Sequence, residues 1–117
     1  MKIYAFDVDE TLEVGGGPVT IESVVELHSC GHAVGLCGNY AVTVRVWEQW
    51  HRVVNFLGPM EMPKDAFLRQ LKTYVPCEEV IMVGNVLGVS GSSDDAGAAQ
   101  RAGVRFIKES DFATGAR

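Results

Sequence analysis

Apolar residues in this chain fall into short continuous runs, alternating with stretches whose apolar positions recur at helical spacing. Residues 2–8 (KIYAFDV) are apolar and rich in β-formers, which predicts a buried strand. A glycine-rich turn follows over Leu12 to Gly17, and Pro18 suits the start of a helix. Ile21, Val24, Val25, Leu27 and His28 share one helical face, and Gly31 stops that helix. Residues 33–37 (AVGLC) predict a second short strand, with Gly38–Asn39 as its turn. Val44, Trp47, Trp50 and His51 predict a second helix over 41–52, and Val53 to Leu57 a third strand ended by Gly58–Pro59. The β-branched Val42, Val44, Val46, Val53 and Val54 compete with the helix in this stretch. Pro63 opens a third helix with Phe67, Leu68 and Leu71 on one face, and Pro76 ends it. Residues 80–83 (VIMV) predict a fourth strand, 84–93 a Gly/Ser loop, 95–102 an Ala-rich helix stopped by Gly103, and 104–107 (VRFI) a fifth strand. The tail from Asp111 is expected to fray.

Strands alternating with helices over short connections imply a Rossmann-like three-layer α/β/α fold around a five-stranded parallel sheet. Ligands of such sheets bind beyond the carboxyl ends of the strands. The residues placed there are Asp7, Asp9 and Thr11; Gly38 and Asn39; Lys64, a little after strand three; and Asn85 with Asp94 and Asp95.

At 117 residues the chain is expected to be a single domain spanning 1–117. A formal charge of -5 with no Lys/Arg run gives no attraction to nucleic acid or anionic membranes, so neither is an expected partner. No apolar run reaches bilayer length, and Asp7, Asp9 and Glu10 interrupt any signal-peptide pattern. Cys30, Cys37 and Cys77 are too few and too scattered for a disulfide framework or zinc site. They are expected to be reduced and mostly buried, in a cytoplasmic protein. His28, His32 and His51 are not clustered with the acids and are read as ordinary core or surface histidines. Trp47 and Trp50, with Val54, are expected to pack a helix on the sheet, with a homo-oligomer interface as the second reading. Met60 and Met62 are read as gap fillers that could also gate the site.

The acidic cluster Asp7, Asp9, Glu10 carries the chemistry. Two carboxylates about 5 Å apart repel by only ~1 kcal/mol in water but by several in a partly buried site. Either a cation neutralises such a pair or one member holds a proton. Hard oxygen donors suit Mg2+, which takes one or two carboxylates plus waters and phosphate oxygens.

The stretch Asp7-Val8-Asp9-Glu10-Thr11-Leu12 after an apolar strand resembles the DxDxT motif of the haloacid dehalogenase (HAD) superfamily of phosphohydrolases. The resemblance extends from residue 2 to about 107. Lys64 in PKDAF is similar to the family's motif lysine, Val80 to Gly84 to its fourth motif strand, and Asp95 to Ile107 to its acidic helix, AG turn and final strand. It implies a HAD-like fold without a cap domain, and an Mg2+-dependent phosphomonoester hydrolase. Asp7 would be nucleophile and metal ligand, and Asp9 general acid/base, offering its backbone carbonyl to the metal. Thr11 would brace the turn, and Lys64 would fix nucleophile and phosphate. Asn85 and Asp95 would complete the metal site, while Gly38 and Asn39 would contact the phosphoryl group.

The chain departs from that pattern in three places. Gly38 stands where the family has a Ser or Thr, so backbone amides of Gly38 and Asn39, or the Asn39 side chain, would donate instead. Asn85 stands where the family has Asp, which implies weaker metal binding, and Asn85→Asp is expected to tighten it. The loop before Asp94 and Asp95 is longer, and Asp94 is also a natural helix cap. Ser90, Ser92 and Ser93 in that loop are secondary phosphate contacts at most. Without a cap the site is expected to be open, to bulky phosphorylated substrates or to closure by a neighbouring subunit. The alternative function is a catalytically weak or inactive protein of this type that binds a phosphorylated ligand or a partner protein. A response-regulator receiver domain is disfavoured because Phe56-Leu57-Gly58 has no acid at the end of strand three.

Overall fold

The apolar runs become five parallel strands: β1 (Ile3–Phe6), β2 (Ala33–Leu36), β3 (Phe56–Leu57), β4 (Val80–Gly84) and β5 (Arg105–Lys108). The computed structural model describes residues 1–61 and 63–117. The sheet order is β3-β2-β1-β4-β5, so β1 lies in the centre. Ile3 pairs with Ala33 on one side and Val80 on the other, and Phe6 with Leu36 and Val83. A strand flanked on both edges and covered on both faces must be apolar at every position, and all four residues of β1 are buried.

The strands alternate between two cores. Tyr4, Phe6, Ile81 and Val83 face a cluster completed by Val24 and Leu27 of α1 (Ile21–Ser29) and by Phe112 of α5 (Glu109–Ala113). Tyr40 and Trp47, at the two ends of α2 (Tyr40–Val46), pack at its margin. Ile3, Ala5, Val80 and Met82 face the opposite cluster, with Leu68 of α3 (Lys64–Tyr74) and Ala98, Ala99 and Ala102 of α4 (Asp95–Ala102). The small alanines let α4 approach both α3 and the sheet. The result is the three-layer α/β/α arrangement the alternation implies, and no cap interrupts it. Among the described residues no helix is long and apolar enough to cross a membrane.

The structure corrects the reading around residues 41–57. The second helix is only Tyr40–Val46, followed by a 3-10 turn at Trp50–Arg52. Trp47 is already extended, and Val54 N–H closes back on the Trp50 carbonyl at 2.8 Å. The β-branched residues hold the helix short, and the third strand shrinks to two residues. Val53 and Val54 instead pack sideways against the first core.

The tail is a second correction. It does not fray at Asp111: α5 inserts Phe112 edge-on against Phe6, with centroids 5.3 Å apart, and the Arg117 guanidinium covers its other face at 4.0 Å. Cys37 is buried and Cys77 half-buried, but Cys30 is exposed and all three are free. Met60 is exposed and fills no gap; Met62 lies outside the described residues.

Candidate functional site

The carboxyl ends of β1, β2 and β4 meet the start of α3 and α4, and five residues from three separate stretches of the chain converge there. Asp7 directly follows β1 and is 2% exposed. Lys64 is the first residue of α3, and its ammonium donates to Asp7 Oδ1 at 2.8 Å and to Asp95 Oδ1 at 2.7 Å. A lysine at a helix N-terminus is disfavoured by the dipole. Here the two carboxylates overrule that preference. Asp7 Oδ2 accepts from Thr11 Oγ1 at 3.0 Å. Asp95 Oδ2 accepts from the Asn85 backbone N–H at 2.8 Å. Asp7, Thr11, Asn85 and Asp95 are all buried.

The turn after β1 is built to hold this arrangement. Thr11 and Leu12 N–H both bond to the Val8 carbonyl, and Glu10 adopts a left-handed φ of 59°. Such a conformation is uncommon for a non-glycine residue and clusters at functional sites. Asp9 points to solvent from the same turn.

Gly38 explains the missing hydroxyl. Its φ of 152° lies where side chains are disfavoured, and a Cβ there would come within 2.7 Å of Asp7 Oδ1 and 3.5 Å of Lys64 Nζ. A serine or threonine at 38 would collide with the Asp7 carboxylate. Gly38→Ala is therefore expected to displace Asp7 or Lys64 and destabilise the fold by about 1–3 kcal/mol, measured by urea unfolding. Gly84 is confined similarly, because a Cβ would overlap the Asp95 carboxylate.

Electrostatics follow from the burial. Asp95 is pushed up to about 6, chiefly by burial, with the Asp7 charge adding and Lys64 and the Asn85 N–H opposing. Burial by itself would lower the Lys64 ammonium, but the charges of Asp95 and Asp7 outweigh it and raise it, so it stays protonated. Cys37 is adjacent but inert: burial pushes its thiol up to about 12 despite Lys64.

These shifts give pH dependences of the same sign in different windows. In metal-free protein, folded Asp95 keeps a proton between about pH 4 and pH 6 that the unfolded chain releases. Stability should therefore fall by up to about 3 kcal/mol as pH rises through that window. Lys64 contributes stability that is complete at neutral pH and is lost as pH rises from the ordinary lysine range through its own raised value. Chemical denaturation at pH 4 and 7 in EDTA should show a smaller decrease for Asp95→Asn than for wild type.

Asp94 and Asp95, adjacent in sequence, separate in function. Asp94 caps α4, accepting from Gly97 N–H at 3.1 Å, and pairs with exposed Arg101 at 3.4 Å. Only Asp95 reaches Lys64. Asn39 precedes α2 without capping it through its side chain. Ser90 Oγ is engaged by Val86 N–H at 2.9 Å and by Glu109 at 3.1 Å, and Ser92 Oγ reaches Glu10 at 3.3 Å.

Among the described residues no three acidic, histidine or cysteine side chains form a set that could hold a metal ion. Both oxygens of Asp95 accept from protein donors, as do both of Asp7, and Asp95 holds Lys64 and the start of the β4–α4 loop. A hard cation would rest on Asp7, the Asp9 backbone oxygen and Asn85 Oδ1, which is buried without a hydrogen-bond partner. One carboxylate, neutral oxygens and waters form a donor set that Mg2+ accepts, with less charge than two carboxylates would bring.

One buried residue was missed by sequence reasoning: Glu109, whose Oε2 accepts from Asn85 Nδ2 at 3.3 Å. The signal was present, since it follows the fifth strand closely, on the ligand-binding edge of the sheet. No family model, curated protein or solved structure matches the chain.

Proposed function

We propose that this protein is a Mg2+-dependent phosphomonoester hydrolase of the HAD type, acting through an aspartyl-phosphate on Asp7. The observation that carries this reading is the buried Asp7–Lys64–Asp95 bridge at the carboxyl end of the central strand. A carboxylate beside an ammonium, at the mouth of a parallel sheet, suits nucleophilic attack on a dianionic phosphoryl group. The absence of a side chain at Gly38 lets Asp7 and Lys64 meet at the strand end, where an approaching phosphoryl group would gain the lysine's charge.

In the first step an Asp7 oxygen bonds to phosphorus and the ester P–O bond breaks. Asp9, exposed on the same turn, gives its proton to the leaving oxygen. In the second step Asp9 takes a proton from water, which attacks phosphorus, releasing phosphate and restoring Asp7. Lys64 holds Asp7 in position and offsets phosphoryl charge, and Thr11 fixes the carboxylate's second oxygen. Asp7, the Asp9 carbonyl and Asn85 Oδ1 would hold Mg2+, which would offset negative charge on carboxylate and phosphate. Phosphate release from an aryl phosphate, with Mg2+ and with EDTA, tests the reading: turnover that EDTA does not diminish would rule it out. Asp9→Asn is expected to slow steady-state turnover by about 10²–10⁴-fold with the fold intact by circular dichroism.

A second reading is favoured by one feature, the neutral Asn85 where a further carboxylate would strengthen metal binding. It makes the chain a catalytically weak protein with the same site, binding a phosphorylated ligand or a partner protein. It predicts Asp7-dependent cation binding without phosphate release.

A further inference from the structure

Glu109 sits at the junction of β5 and α5 with 4% of its surface exposed. Its Oε2 accepts from Asn85 Nδ2 at 3.3 Å and from Ser90 Oγ at 3.1 Å. Among the described residues no lysine, arginine or histidine forms an ion pair with it. A carboxylate buried against two neutral donors is an unfavourable arrangement unless a positive charge is nearby.

The other end of the same amide, Asn85 Oδ1, is buried and has no partner. The amide cannot simply turn over to find one. Nδ2 also donates to the Glu10 carbonyl at 3.1 Å, with the Ser90 carbonyl at 3.5 Å. Reversal would set Oδ1 against these oxygens and Glu109. The loop closes over the amide as well, since a Cβ on Gly91 would come within 2.6 Å of Asn85 Cγ. Asn85 is thus clamped with its nitrogen toward oxygens from the ends of β1 and β5 and its own oxygen left over.

We propose that Glu109 is the positioning residue of the cation site, supplying through Asn85 the negative charge that residue 85 itself lacks. The inference rests on the functional reading above. A carboxylate accepting from an amide N–H fixes the amide's direction and shifts electron density onto its oxygen, making that oxygen a better ligand. The net charge of Glu109 adds Coulomb attraction that burial leaves poorly screened. The two residues divide between them what one aspartate would do: Asn85 presents the oxygen and Glu109 the charge. The left-handed Glu10, whose carbonyl takes part in the clamp, joins this unit to the turn carrying Asp7 and Asp9.

The test is a Mn2+ titration, with free ion followed by its paramagnetic resonance, on wild type, Asp7→Asn, Glu109→Gln, Asn85→Asp/Glu109→Gln and Ser90→Ala. Thermal unfolding of each metal-free protein accompanies it. Glu109→Gln keeps the hydrogen bond and removes the charge. It is expected to weaken Mn2+ binding by about tenfold or more, with a metal-free midpoint equal to or above wild type. The double variant moves the carboxylate across one hydrogen bond and should recover affinity to within about threefold of wild type. Ser90→Ala, which loosens the loop but keeps the charge, should also stay within about threefold.

Wild-type affinity in Glu109→Gln overturns the proposal. So does a double variant no tighter than Glu109→Gln, or a Ser90→Ala loss as large as that of Glu109→Gln, which would make Glu109 a loop anchor only. If Glu109→Gln does not fold, the double variant decides, and an affinity below a tenth of wild type rejects the idea. A wild type that takes up no Mn2+, or an Asp7→Asn variant that binds as well, rejects the cation site and this inference together. That outcome is distinct from an Asp7-dependent site indifferent to residue 109.

Discussion

Asp7→Asn is expected to abolish phosphate release, by on the order of 10⁴-fold or more, while the protein remains folded. The amide cannot form the acyl phosphate, yet it fills the same space, with its oxygen accepting from Lys64 and its nitrogen placed to donate to the Thr11 hydroxyl. Removing this charge leaves Lys64 paired with Asp95 alone, a neutral pair in place of two anions and one cation. The variant should therefore be about as stable as wild type, and its effect should lie in kcat. Single-turnover phosphate release beside a thermal melt checks both parts. Surviving turnover would remove Asp7 as nucleophile, and a collapsed melt would show that the bridge is needed for folding.

Lys64→Met should have the largest effect on stability, a loss of about 3–5 kcal/mol at pH 7, because it leaves two buried carboxylates without their shared cation. The destabilisation should shrink as pH falls toward about 6, because Asp95 without the opposing lysine charge takes up its proton at higher pH than in wild type, and the repulsion ends. Activity should fall as well, since the same ammonium sits beside the Gly38 gap. Urea unfolding of wild type and variant at pH 5 and pH 7.5 measures the difference. An equal loss at both values would mean that protonation of Asp95 is not coupled to Lys64, so that Lys64 acts mainly by packing.

Much of the layout is legible in local pattern. The strand around Ile3–Phe6, the helix at 95–102 and the stop at Gly103 follow from apolar runs, alanine content and a left-handed glycine, all set within a few residues of themselves. The misread segment, 41–57, is where local preferences conflict. Valines there favour strand while the apolar spacing is helical, and packing of Trp47, Val53 and Val54 against the first core decided the outcome. The tail was misread because Phe112 gains its place from Tyr4 and Phe6, more than a hundred residues earlier.

For the site, the sequence by itself determined which carboxylates and which lysine stand at strand ends, because alternation fixes where a parallel sheet presents its loops. It did not determine their partners. That Asp95 and not Asp94 meets Lys64, and that Gly38 is glycine because Asp7 occupies the space of its side chain, were decided by the close approach of α3, α4 and β1. The same holds for Glu109, which gains a role only when β5 is laid beside β4 and its carboxylate meets Asn85. Burial turns these contacts into large electrostatic effects, and burial is a property of the packed molecule, not of any stretch of chain.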